Sequence, residues 1–257
     1  MASCCQGHLY RARVRQLLPE PAEIDPGAAH AHASRPAPAD RPWVLLNMVA
    51  SIDGATAVDG VSGGLGGPAD QAVFGAIRAA VDVILVAAGT ARAESYGPPR
   101  TSESRQADRL ARGQRAKPRM ALVTRSLDLD ATTSLFTEAT EAPLIFTTDD
   151  APPDRLHSFD GLAEVVSMGQ HGVDLRRALS HLHAEGARTV LVEGGPSLNG
   201  QLTEAGLVDE VNLSLSPLLV GGDSARMVHS EQAAPLPMAL AHLWEQDGLL
   251  FARYCRG

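Results

Sequence analysis

The chain has 257 residues, of which 44% are hydrophobic and only 4% aromatic, enough for one large domain whose core is mainly Val, Leu, Ile and Ala. A formal charge of −8, with no dominant basic tract, argues against nonspecific nucleic-acid binding but leaves room for a local anion pocket. The three cysteines, Cys4, Cys5 and Cys255, form neither a CxxC pair nor a Cys/His zinc spacing, so no metal and no disulfide framework are expected. No apolar run reaches membrane-spanning length, and Met1 to Leu18 has no apolar signal core, so the expectation is a soluble, cytoplasmic protein without a membrane partner.

Six prolines among alanines between residues 19 and 42 predict an extended or partly disordered arm, giving an N-terminal arm over 1–41 and a single domain over 42–257. Order is expected from Trp43. The nearly unbroken apolar run Val44 to Val49, interrupted only by Asn47, suits a strand buried on both faces, and Asp53-Gly54 marks a turn. Pro68 opens a helix with Asp70 in its first turn and a stripe of Val73, Phe74, Ile77 and Val81. Short apolar runs follow at Val83 to Ala87, Met120 to Val123, Leu144 to Phe146, Val165-Val166 and Thr189 to Val192. Helices are expected at Leu175 to Leu182, stopped by Gly186, and at Leu198 to Ala205, stopped by Gly206. Val211, Leu213 and Leu215 alternate with Asn212, Ser214 and Ser216, as in a strand with its apolar face inward, and Leu249 to Tyr254 reads as a last strand. The pattern predicts an α/β fold with a mostly parallel central sheet, antiparallel C-terminal strands and flanking helices.

Three turns follow predicted strands. Val192-Glu193-Gly194-Gly195-Pro196-Ser197 joins a strand to a helix through two glycines, which leaves first-turn N–H groups free and lets a pyrophosphate approach the backbone. Gly89-Thr90 has a similar setting. Thr124-Arg125-Ser126 offers two hydroxyls around an arginine, suited to an adenosine 2′-phosphate. Each turn alone is compatible with an ordinary cap or loop; together they outline one dinucleotide crevice. The basic stretch from Tyr96 to Arg119 is either a solvated loop or surface helix, or a mobile flap that attracts phosphorylated ligands.

Ala50-Ser51-Ile52-Asp53-Gly54, Ile77-Arg78-Ala79, Gly89-Thr90, Glu193-Gly194-Gly195-Pro196 and Leu207-Val208-Asp209-Glu210 resemble, in order and spacing, signature segments of the pyrimidine reductases of bacterial riboflavin biosynthesis. The resemblance runs from about residue 42 to the end. It implies a dihydrofolate-reductase-like fold, NADPH as cofactor and a homodimer. It also implies reduction of the ribose of a 5-amino-6-(5-phosphoribosylamino)uracil-type substrate to a ribityl chain. The PCxxC motif, which together with HxE marks the deaminase domain that often accompanies this family, is absent from the sequence.

Carried over by position, Ser62, Arg78, Arg100 and Glu193 would face an anionic substrate, the arginines supplying forked cationic donors. Glu94 stands where the family usually has aspartate and would orient the sugar and relay a proton; Asn47 stands where bifunctional members tend to have lysine. Gly89, Thr90, Thr124, Arg125, Ser126, Gly194, Gly195, Pro196 and Ser197 would hold the cofactor. Asp53 reads as a turn former. Asn47, Glu94 and Gly64, which replaces a bulky aromatic of some members, all depart from the family on the substrate side. The alternatives are therefore a reductase of a pterin such as dihydrofolate, and an NADP(H)-binding protein without turnover.

Overall fold

The computed structural model describes residues 13–233 and 235–257; Cys4, Cys5 and most of the Met1–Leu18 segment lie outside them. In chain order the elements are β1 (Val14–Leu18), β2 (Ala22–Ile24), α1 (Pro26–Ala31), β3 (Trp43–Ser51), α2 (Pro68–Ala80), β4 (Val83–Ala87), α3 (Ala88–Ala93) and α4 (Glu103–Ala111). There follow β5 (Arg119–Val123), α5 (Ser134–Thr137), β6 (Leu144–Thr147), α6 (Pro153–His157), β7 (Glu164–Ser167), α7 (Leu175–Ala184), β8 (Thr189–Val192), α8 (Pro196–Glu204), β9 (Glu210–Ser216), β10 (Met238–Gln246) and β11 (Leu249–Arg256). All strands join one sheet in the order β2-β1-β10-β11-β9-β3-β8-β4-β5-β6-β7. From β9 to β7 every pair is parallel, and from β9 outward through β11, β10, β1 and β2 every pair is antiparallel.

The central strands are apolar because both their faces are covered. On β4, Ile84 and Val86 belong to the core beneath Ala69, Val73 and Ile77 of α2. Val83 and Leu85 belong to the opposite core, with Leu179 and Leu182 of α7 and Leu198 and Leu202 of α8. The result is three layers, helix, sheet and helix, with the carboxyl ends of the parallel strands opening on one edge.

Two sequence expectations need correction, and the structure decides a third point that the sequence leaves between two alternatives. Among the described residues of the arm expected over 1–41, the longest stretch without helix or strand is 32–41. Before that, fully buried Val14 sits on β1, which pairs with β10, and Asp25 caps α1. This stretch is itself pinned, since Arg41 donates to both oxygens of Asp209 at 2.5 and 2.8 Å and Arg35 to both oxygens of Glu210. Second, β9 is inverted. Glu210, Asn212, Ser214 and Ser216 are buried, while Val211, Leu213 and Leu215 are half-buried. The inward face can be polar because Glu210 lies between Arg35 and Arg253 and also accepts from Trp43 and Asn212. Third, the basic stretch contains α4 and is largely structural. Arg109, fully buried, donates to the carbonyls of Ala79, Val81 and Arg115, and Arg119 pairs with Glu164 and Glu185.

Beside Glu210, His242 stacks on buried Trp244 at 3.8 Å and His30 meets the same ring edge-on. Burial first, then Arg35 for His30 and Arg253 for His242, holds both imidazoles below their ordinary range, His242 at about 4. The unfolded chain takes up these protons more readily, so the stabilisation is complete above the ordinary histidine range and falls as pH drops toward 4. For His242 the gap from 6.5 to about 4 corresponds to at most ~3 kcal/mol. The urea midpoint should therefore fall between about pH 7.5 and 5, and His242→Phe, which keeps the stack, should reduce that fall. Equal pH dependence in the two proteins would remove His242 from the account.

Candidate active site

β3, β8, β4 and β5 lie side by side, so the turns at their carboxyl ends are neighbours. The Glu193 N–H donates to the Leu85 carbonyl at 3.1 Å and the Ala87 N–H to the Gly194 carbonyl at 2.9 Å, tying the end of β8 to the end of β4. Gly194 has φ +92°, a conformation that favours glycine, and a cis peptide joins it to Gly195. A Cβ on Gly195 would come within 2.7 Å of the Thr90 hydroxyl, so glycine there is what lets α3 and α8 begin against each other. A Cβ on Gly89 would meet nothing within 4 Å, which leaves that backbone open to a ligand. α8 starts with Pro196 and has no side-chain cap, so its first turn retains free donors.

Next to these turns is a cleft of about 350 Å³. Nine residues singled out in the sequence line it: Asn47, Ser62, Gly89, Thr90, Glu94, Glu193, Gly194, Gly195 and Pro196. The Glu94 carboxylate accepts the Ser62 N–H at 2.8 Å, so the acid is fixed to the loop that leads into α2. Asp53 does more than turn the chain. It accepts from the Ser51 hydroxyl and from the Val220 and Gly221 N–H groups, and these bonds hold its carboxyl down at about 2.

The remaining candidates are placed differently. Arg78 is not on the cleft wall; it donates to both oxygens of Glu193, at 2.7 and 2.6 Å, and the Tyr96 hydroxyl donates to the same carboxylate at 2.8 Å. Its guanidinium also stacks over Phe74, 4.3 Å from the ring centre. Glu193 is therefore already satisfied and Arg78 already paired. Arg100 is exposed on the loop after α3. Thr124 uses its hydroxyl to accept the Leu127 N–H, while Arg125 and Ser126 are exposed at the end of β5, beside the turn that carries Gly89. Ser197 lines a second groove of about 650 Å³, together with Gln201 and Glu204 of α8, and is not on the wall of the first.

Asp70, Phe74 and Tyr96 also line the cleft; the sequence reading gave them no ligand role. Asp70 and Phe74 are one turn apart on α2, so the spacing carried a signal that was read only as helix dipole and core stripe. Among the described residues the cleft wall holds the carboxyl groups of Asp70, Glu94 and Glu193 and no lysine or arginine. Among the described residues, only Glu164, His181 and Glu185 group at metal-ligand spacing, and Arg119 donates to both carboxylates there. Among them too, no helix is long and apolar enough to cross a membrane.

Comparison with known proteins agrees with the geometry. The 2,5-diamino-6-ribosylamino-4(3H)-pyrimidinone 5′-phosphate reductase of Methanothermobacter thermautotrophicus is 31% identical over 187 residues, covering 72% of this chain and 82% of that protein. The reductase of the same name from Aquifex aeolicus is 33% identical over 192 residues, covering 72% and 81%. The crystal structure of a pyrimidine reductase-like protein from Corynebacterium diphtheriae superposes with a TM-score of 0.77 at 27% identity, covering 84% of this chain and 92% of that one. With residues 42–248 matching the family described as RibD C-terminal domain, the chain belongs to that family.

Proposed function

We propose that this chain is a cytoplasmic, NADPH-dependent oxidoreductase of riboflavin biosynthesis that reduces the ribose of a phosphoribosylaminopyrimidine to a ribityl chain. The observation that carries the reading is the meeting of Asn47, Glu94, Thr90 and Gly194-Gly195 at one cleft of a RibD-family fold. Open backbone at Gly89 and the uncapped first turn of α8 suit a pyrophosphate, so the residues fit a dinucleotide. Bound reduced nicotinamide would supply a hydride to the anomeric carbon. As that C–H bond forms, the bond from the carbon to the ring oxygen breaks, and the oxygen needs a proton; Glu94 is the acid in the cleft that would provide it. Asn47 would hydrogen-bond the sugar, and exposed Arg100 would meet the 5′-phosphate outside the acidic cleft. The half-buried face of Val211, Leu213 and Leu215, with exposed Ile52, Leu218 and Leu219 beyond it, supports assembly as a homodimer.

The test is NADPH oxidation by the purified chain with a phosphoribosylaminopyrimidine, with formation of the ribityl product; dihydrofolate is the comparison substrate. Oxidation with dihydrofolate alone would replace the reading by the pterin one. Arg125, exposed beside the cofactor turns, should read the 2′-phosphate. Loss of that charge-assisted contact should cost about 1.5–3 kcal/mol, so Arg125→Ala should weaken NADPH binding by roughly tenfold or more and leave NADH binding nearly unchanged. Equal weakening of both nucleotides would remove Arg125 from this role.

A further inference from the structure

Asparagine and glycine both disfavour a helix interior, yet they stand side by side within α8, at Asn199 and Gly200, and both are buried. The segment that follows β9 explains them. It first crosses the turn after β3, where the Ile52 N–H donates to the Leu218 carbonyl and Asp53 accepts from the Val220 and Gly221 N–H groups. The Ser224 hydroxyl oxygen then accepts the Thr56 and Ala57 N–H groups at 3.0 and 3.1 Å, and the Thr56 hydroxyl donates to the Ala225 carbonyl at 2.7 Å. Thr56, Ala57 and Ala225 all belong to the cleft wall. A few residues on, the same segment reaches α8. The Asn199 amide donates to the Met227 carbonyl at 2.8 Å, and the His229 N–H donates to the Pro196 carbonyl at 3.0 Å. A Cβ on Gly200 would collide with the His229 carbonyl, so glycine is what lets the two backbones meet. Asn199 is fully buried, its Oδ1 has no partner among the described residues, and its side-chain donor goes to this segment.

Residues 224–229 thus form a strap, hooked at one end to the substrate cleft and at the other to the helix whose first turn would face the cofactor. We infer that Asn199 and Gly200 are positioning residues: they seat this strap on α8 and thereby fix the Thr56, Ala57 and Ala225 wall of the cleft. The inference rests on the reading of the cleft as the substrate site of a phosphoribosylaminopyrimidine reductase. Neither residue lines the cleft, so neither acts on the substrate directly. The poor helix propensity of the pair is the cost of the docking, since a longer or branched residue at 200 would hold the strap off. Without the Asn199 donor, the Met227 carbonyl loses its partner and the strap keeps only the His229 bond to α8. The wall then shifts relative to Glu94 and Asn47, which stand on other elements, β3 and the end of α3.

Two variants test the seat. Asn199→Leu keeps a branched shape and removes the donor; Gly200→Ala adds a methyl that favours the helix but obstructs His229. Each should raise the KM of the phosphoribosylaminopyrimidine by roughly tenfold and leave kcat and the NADPH dissociation constant within about threefold, because the wall holds ground and transition states alike. Ser224→Ala, which unhooks the other end, should do the same. The Asn199→Leu/Ser224→Ala double variant should raise KM no further than the larger single effect, since both act through one strap. A second readout needs no turnover: hydrogen exchange at the Thr56 and Ala57 amides, which Ser224 holds, should quicken by roughly tenfold in Asn199→Leu and Gly200→Ala. A wild-type KM with only a lower melting temperature, or KM increases that multiply in the double variant, would overturn the inference. A rise in the NADPH dissociation constant that matches the rise in KM would overturn it too and make Asn199 a cofactor ligand. Unchanged exchange at Thr56 and Ala57 in both variants would overturn it whatever the substrate. Wild-type protein that turns over no phosphoribosylaminopyrimidine would overturn the reductase reading instead, and the exchange rates then decide the strap.

Discussion

Arg78→Ala should destabilise the fold by about 3–5 kcal/mol, the usual cost of stranding one partner of a buried ion pair. The Glu193 side chain is only 2% exposed, and its two oxygens accept from Arg78 at 2.7 and 2.6 Å; once Arg78 is removed, only the Tyr96 hydroxyl remains beside the carboxylate. For a chain of this size that loss corresponds to a melting temperature lower by roughly 10 °C. The Arg78→Met/Glu193→Met pair should recover most of it, because an apolar pair leaves no buried charge behind. A role in phosphate binding predicts a different pattern: a raised KM with an unchanged melting temperature. The bidentate geometry, and the absence of Arg78 from the cleft wall, favour the first outcome. A wild-type melting temperature in Arg78→Ala would return the arginine to the substrate.

What the sequence made legible follows the range of each interaction. Val83 to Ala87 is read correctly because burial on both faces leaves a local mark, an unbroken apolar run. β1 leaves none: Arg15 pairs with Glu245, and the many prolines after it dominate the local signal. β10 had a turn signal, Asp247-Gly248, both residues at positive φ between two strands, but its alanines hid the strand itself. In β9 the alternation is real and only its sense was wrong, because the partners of Glu210 that make a polar interior tolerable, Arg35 and Arg253, are distant in sequence. The site divides in the same way. Glu94, Asn47 and the glycine turns are found from short segments, whereas the engagement of Arg78 by Glu193 joins positions 115 residues apart. The same fold-dependent pairing is why Arg78 is expected to act on Glu193 and not on the substrate. Asp70 and Tyr96 were passed over because an acid in a first helical turn and an aromatic residue near a loop have ordinary explanations, and only the cleft brings them together.

Glu94→Gln should lower turnover on the order of 10²-fold, the low end for general acid catalysis, with nearly unchanged NADPH affinity. Hydride addition at the anomeric carbon releases an oxygen that must be protonated, and with Asn47 in place of a lysine the cleft wall holds no cationic acid among the described residues. Of its three carboxyl groups, Glu193 is closed off by Arg78 and Tyr96, and Asp70 sits on a different element, the first turn of α2. Glu94 caps the C-terminal end of α3, one turn after Thr90, and lines the same cleft as the Gly194-Gly195 turn. The glutamine side chain keeps an oxygen that can accept the Ser62 N–H, so the loop entering α2 should hold its place and KM should change little. What glutamine lacks is a titratable proton, and the pH dependence of turnover should flatten together with the fall in rate. A loop-positioning role alone predicts the opposite: Glu94→Gln near wild type in rate and pH profile, and Glu94→Ala impaired through KM. That outcome would move the proton source to water or to a hydroxyl of the substrate.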